Sequence, residues 1–226
     1  MPHRAFLTPE RLDLLADQAQ RAHAAFQGRL RIALASAILE RLPMARTLQD
    51  ETGQAWLDYW QGLVPTFFDH TGEAYRAGAA AAGMKLSDKA ELEIQALNVD
   101  AAQSALDEIN IASVRDRLLV QKAFRRHYLE EQLTRGNNGG AQRRINSLQM
   151  KVLDAAGRRW DSALWVRSIV RHHLVTTQVE TALFCWVKNG LDRAVAVWGD
   201  DHEGASYLEI KDQIFHPNST ASVVRP

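Results

Sequence analysis

The residues best suited to chemistry gather late in the chain. Asp200, Asp201, His202 and Glu203 are consecutive, and His216 follows. Carboxylate oxygens and imidazole nitrogens of this kind can hold a divalent ion. Consecutive side chains seldom all turn toward one ion, however, and surface loops are polar anyway, so no metal or cofactor is assigned. His172 and His173 lie beside Arg171 in a helical stretch, where adjacent residues face different directions. They read as packed or exposed helix residues. No nucleophile, base and orienting group can be assembled with any specificity, and the expectation is a protein that is not an enzyme. Cys185, the single cysteine, excludes an internal disulfide and reads as a buried free thiol in an apolar helical run. Gly136-Asn137-Asn138-Gly139-Gly140 lacks both a flanking strand and a Gly-Lys-Ser/Thr ending, so it is no phosphate cradle.

A charge pattern offers a different kind of chemistry. The formal net charge is zero, but it is unevenly spread. Residues 1–110 hold 10 Lys+Arg against 15 Asp+Glu, residues 111–173 hold 13 against 5, and the remainder holds 4 against 7. The basic middle includes Arg115, Arg117, Lys122, Arg125, Arg126, Arg143, Arg144, Arg158 and Arg159. Such a stretch is either a set of solvated helix faces or a docking face for an acidic protein surface or for DNA. In the last case it would touch phosphates without reading bases. The eight arginines of this set are the candidate contacts with DNA or a partner.

The elements that must position these groups are mostly helical. Thr8-Pro9 supplies a cap and a first-turn proline. Leu12, Leu15, Ala19, Ala22, Phe26, Leu30, Ala33 and Ala37 then recur at three- and four-residue steps, close to a heptad seam that ends by Pro43. A second helix is expected from about Leu48 to Ala82, broken or kinked at Pro65. Trp56, Tyr59, Trp60, Leu63, Phe67 and Phe68 make it aromatic-rich, chiefly as core. Gly83-Met84 breaks before a third helix from Ser87-Asp88 to about Asn110. A fourth is expected over about Ser113–Thr134 and a fifth over about Ala141–Ala156.

The last stretch has the sharpest signals. Asp161 and Ser162 are good N-cap residues. Leu164, Val166, Ile169, Val170, Leu174, Val179, Leu183, Phe184 and Val187 form an apolar helical stripe. Asn189-Gly190 should stop it, and a β-prone run follows at Arg193–Trp198. The fold class expected is mainly α: long N-terminal helices in an extended helical bundle, then a small α+β C-terminal module. The division expected is 1–135 as a helical assembly region, 136–140 as a Gly/Asn-rich hinge, and 141–226 as a helix plus small β-sheet module. No run of about 18 uninterrupted apolar residues suggests a membrane span, and the first residues lack the apolar run of a secretion signal.

These late features also occur in a telling order. Gly157-Arg158-Arg159-Trp160 opens a helix carrying Arg171, Thr176, Thr177, Gln178 and Glu180. Gly190-Leu191-Asp192, Val195–Trp198, Asp200-Asp201 and Phe215-His216-Pro217-Asn218 with Val223-Val224 follow. The order resembles the C-terminal part of phage minor capsid (head-morphogenesis) proteins, the group that includes the Mu F-like minor head proteins. The opening Leu7–Leu12 and the helix behind it are similar to the start of such proteins. Where many relatives carry cysteines, this chain has Gly204-Ala205-Ser206 and Ser219-Thr220, which removes the grounds for a zinc- or disulfide-pinned loop. Some phage head proteins are joined to ADP-ribosyltransferases, but no acidic pair here supports that activity.

The resemblance implies a structural minor head protein of a tailed bacteriophage or prophage. It would be assembled in the host cytoplasm, present in several copies per virion, and docked on the portal or major capsid protein, with no membrane role. An alternative is an internal virion protein that binds DNA, or is ejected with it, through the basic middle. No cofactor is expected for either.

Overall fold

The fold, given by a computed structural model, is described over residues 6–39, 46–134, 145, 147–154, 156–190, 196–198, 206 and 222–224. It is mainly helical. In chain order the elements are α1 (Pro9–Leu39), α2 (Arg46–Ala81), α3 (Asp88–Leu97), α4 (Val99–Thr134), β1 (Lys151–Leu153), β2 (Arg159–Asp161), α5 (Ser162–Lys188), β3 (Ala196–Trp198) and β4 (Ser222–Val224). β1 and β2 form one antiparallel ribbon, and β3 and β4 form another near the C-terminus. The mainly α class with a small α+β C-terminal module is therefore what the chain adopts. In the second ribbon Val197 is opposite Val223, and Val223 is buried.

The helix ends follow the local chemistry. Thr8 Oγ1 accepts the Arg11 amide at 3.3 Å, and Ser87 Oγ accepts that of Ala90 at 3.3 Å. Asp161 Oδ1 accepts the amides of Ala163 and Leu164 at 2.9 and 3.2 Å, so it caps α5. At the end of α2 the Met84 amide reaches the Ala79 carbonyl and the Gly83 amide reaches Ala80, with Gly83 at φ +75. That is the double closure a left-handed residue permits. Gly190, at φ +83, ends α5 in the expected place.

Three expectations are corrected. First, of the break or kink expected at Pro65, the break is corrected: α2 runs through as one helix. Proline removes one helical hydrogen bond, but Tyr59, Leu63 and Phe67 on either side are buried, and their packing outweighs that loss. Second, the break expected near 110–113 falls at Asn98. Its amide and its side-chain Nδ2 both donate to the Ile94 carbonyl at 3.1 Å, closing α3. Asn110 and Ser113 stay inside α4, where the Ser113 hydroxyl donates to the Asn110 carbonyl at 2.9 Å.

Third, the fifth helix expected to Ala156 gives way to the β1–β2 ribbon. Val152 is buried between exposed Lys151 and Leu153, which is a strand's alternation. Asp154 makes the turn. Its Oδ1 accepts the Arg158 amide at 2.8 Å, its Oδ2 accepts Trp160 Nε1 at 3.0 Å, and Gly157 sits at φ +76. The Trp160 hydrogen bond first, then those from Arg158, lower the Asp154 carboxyl to about 2. The expected hinge at 136–140 lies outside the described residues, so the division placed there stands as an expectation.

The chain forms two compact units: Met1–Gln18, Thr66–Asp107 and Arg167–Pro226 in the first, and Ala19–Pro65 with Glu108–Val166 in the second. α1, α2, α4 and α5 each continue from one unit into the other. In the first unit the core includes Leu12, Leu15, Phe67, Ile94, Leu174 and Val179. Gly78 of α2 lies so close to α5 that a Cβ there would collide with the Gln178 carbonyl. Two ion-pair sets bind α1 to its neighbours. Arg11 forks onto Glu73 at 2.7 Å, and Arg167 and Arg171 reach Asp13 at 3.0 and 2.9 Å. Gln178 Oε1 accepts the Leu7 amide at 3.0 Å.

In the second unit Phe26, Leu30, Leu34, Tyr59, Val120 and Phe124 are buried. Phe26 stacks on Tyr59 with centroids 4.9 Å apart. The seam residues expected along α1 are buried, with Ala22 half-buried, so that stripe is used within the chain. Of the α2 aromatics, Phe68 is exposed while Tyr59 and Phe67 are core.

Candidate partner interface

Two polar constellations stand out in the second unit, and they differ in access. The first is closed. Asp116, 1% exposed, accepts Gln27 Nε2 at 2.8 Å and His23 Nε2 at 3.1 Å on one oxygen, and Ser162 Oγ at 2.8 Å on the other. His23 Nδ1 lies 2.9 Å from the Tyr59 hydroxyl. Burial, with the nearby Asp116 charge, pushes the Tyr59 phenol up, so it stays protonated and donates to Nδ1. Each group thus has a partner of the right polarity. Serine, histidine and aspartate meet here, but the carboxylate stands between the other two, and all three are out of reach of solvent. The arrangement ties α1, α2, α4 and α5 together.

The second constellation is open. On α4, Arg115, Lys122, Arg125 and Arg126 are all exposed. At 3.6 residues per turn they share one side of the helix with Ile111, Leu118 and Leu129. Those three aliphatic side chains are 57%, 56% and 61% exposed, well above what a packed face would leave. Beside them lies a groove of about 420 Å³ lined by Leu119, Lys122, Ala123, Arg126, Ser147, Leu148 and Gln149. Arg126 Nε donates to Glu130 at 2.9 Å across the helix surface, a contact worth only a few tenths of a kcal/mol, roughly, and readily exchanged. Among the described residues no hydrogen bond or ion pair engages Arg115, Lys122 or Arg125.

The predicted arginines therefore divide. Arg115, Arg125 and Arg126 converge on this face. Arg117 turns to α2 instead, where Nε donates to Thr52 at 3.3 Å and its guanidinium reaches the Gln49 carbonyl. Arg158 is held by Asp154 at 2.6 Å and lies over the Trp160 ring. Arg159 is exposed on β2. Arg143 and Arg144 lie outside the described residues, as do Asp200, Asp201, His202, Glu203 and His216. Sequence reading missed the interleaved Ile111, Leu118 and Leu129. Their three- and four-residue spacing among the cations was the signal.

Three of the α5 residues singled out in the sequence have internal roles. Arg171, Thr177 and Gln178 are buried, and the first and last of these reach Asp13 and the Leu7 amide. His173 is buried too, stacked on Phe67 at 4.8 Å with Nε2 3.2 Å from Thr71 Oγ1. Burial first, then the neighbouring His172, lowers its pKa to about 4. Among the described residues no group of three His, Cys, Asp or Glu could hold a metal, and no helix is long and apolar enough to cross a membrane. No protein-family model, curated protein or solved structure matches the chain.

Proposed function

We propose that this protein is a structural minor head protein of a tailed bacteriophage or prophage, docking on the portal or the inner capsid during head assembly and DNA packaging. One observation carries the reading. The exposed surface of α4 mixes aliphatic and basic side chains in the way a protein-docking face does, whereas the polar constellation seen around Asp116 among the described residues is sealed in the core. The order of features from Gly157 through α5, Gly190, β3 and β4 supports it, since it follows the pattern of the minor head proteins. The chain would sit in the virion head in several copies, with no cofactor and no membrane contact. The test is to purify particles and measure whether the chain is retained at a defined copy number. Absence from both procapsids and mature virions would overturn the reading.

A second reading has its own support. Arg115, Lys122 and Arg125 are exposed cations among the described residues, and packaged DNA would supply phosphates to them. An internal DNA-binding virion protein would hold duplex in a length-dependent, sequence-independent manner. That binding would be lost when Arg125, Arg126, Arg143 and Arg144 are replaced by alanine.

A further inference from the structure

The exposed side of α4 is a seam with a regular step. Ile111, Arg115, Leu118, Lys122, Arg125 and Leu129 follow one another at intervals of four, three, four, three and four. That spacing lines one flank of a helix and suits a second helix laid along it. Phosphates would satisfy the cations but leave three aliphatic side chains in water, so the face fits a protein helix better than a nucleic acid. The occupant must bring carboxylates interleaved with apolar contact. The neighbouring stretch 135–144 cannot, since it holds three arginines and no carboxylate.

The same unit presents such a helix. Within this unit, residues 46–65 of α2 carry Asp50, Glu51 and Asp58 against a single cation, Arg46 at its first residue. Its exposed side steps through Asp50, Gln54, Leu57 and Gln61 at four, three and four, with Asp58 alongside. α2 and α4 touch through Trp56 Nε1 to Ser113 Oγ at 3.1 Å and Arg117 Nε to Thr52 Oγ1 at 3.3 Å. The centre of each seam lies roughly 120° or more around its own helix from those contacts. The two seams face away from each other, so neither can cover the other within one chain.

We infer that the basic–aliphatic seam of α4 docks the acidic seam of α2 from a second copy of this chain. The contact joins two different surfaces, so it repeats from copy to copy and builds a ring or a row rather than stopping at a pair. This goes beyond the head-protein reading and does not depend on it: that reading needs the α4 face only to dock protein, and here the protein is a neighbouring copy.

Sedimentation velocity of the full chain at low salt tests it. The wild-type mass should rise with concentration past that of a dimer, and the rise should shrink as salt screens the charges. Arg115→Glu with Arg125→Glu should weaken self-association about tenfold or more, because like charges then oppose. Asp50→Lys with Asp58→Lys should do the same. Mixing the two double variants should restore assembly, because each then meets an opposite face. Circular dichroism checks that helix content is kept, and Leu118→Ser serves as a milder second variant.

A wild-type chain that stays monomeric, reversals without effect, or a mixture that fails to recover would each overturn the inference. A monomeric wild type whose α4 face binds duplex DNA would overturn it in favour of phosphate docking. Retention in particles is scored separately. A monomeric chain that is retained sinks self-docking alone, and a self-associating chain missing from particles sinks the head-protein reading alone.

Discussion

Asp116 shows how much one side chain can organise. It sits where three donors converge from α1 and α5, with no guanidinium among them. Asp116→Ala would strand His23, Gln27 and Ser162 without an acceptor in a dry core. The expected loss is about 3 kcal/mol or more, read from urea unfolding. His173 makes a second claim at this scale, with a sign fixed by linkage. Its folded pKa is near 4 and its unfolded value is ordinary, so below pH 6.5 the unfolded chain binds a proton that the folded one refuses. Stability should therefore fall as pH drops from 6.5 toward 4, by an amount on the order of 3 kcal/mol across that window. His173→Phe should flatten the slope, as followed by urea midpoints at successive pH values.

Elements are set by closer tolerances than their patterns suggest. Gly78 and Gly28 both lie inside long helices, yet they should respond oppositely to alanine. At Gly78 the new methyl would collide with the Gln178 carbonyl and Thr181, and forcing α2 from α5 should cost about 1–3 kcal/mol. At Gly28 nothing lies within 4 Å, so alanine should stabilise by about 0.5–1 kcal/mol through helix propensity. Thermal melts of the two variants check both signs. Much of this scale was legible beforehand. Thr8, Ser87, Asp161 and Gly190 mark ends because capping is local, and the α1 seam is buried as its spacing implies.

What was not legible depends on distant partners. Nothing near Asp116 announces His23 or Ser162, 93 and 46 residues away. Pro65 reads as a breaker until the burial around it is known, and 151–153 reads as helix until Asp154 and Gly157 are seen turning the chain. The arginine-rich region was visible as composition. Which arginines stay outward was decided by Thr52, Gln49 and Asp154, which claim Arg117 and Arg158.

At the scale of the molecule, α5 contributes to the cores of both units. It gives Ala163 and Val166 to the core of one, and Leu174, Val175, Val179 and Ala182 to the core of the other. A fragment ending at residue 134 keeps every earlier helix but should lose cooperative unfolding and expose apolar surface. Dye binding and the breadth of its thermal transition measure that. A sharp, native-like transition for the fragment would mean the N-terminal helices need no help from α5.

The unit boundaries fall inside helices, at 18–19, 65–66, 107–108 and 166–167, rather than in connecting loops. The consequence reaches the gene. A single recombination joint cannot deliver either half intact, because each is assembled from separate stretches with stretches of the other between them. Inheritance should therefore alter this protein mainly by point changes along its helices, with little trade in ready-made modules.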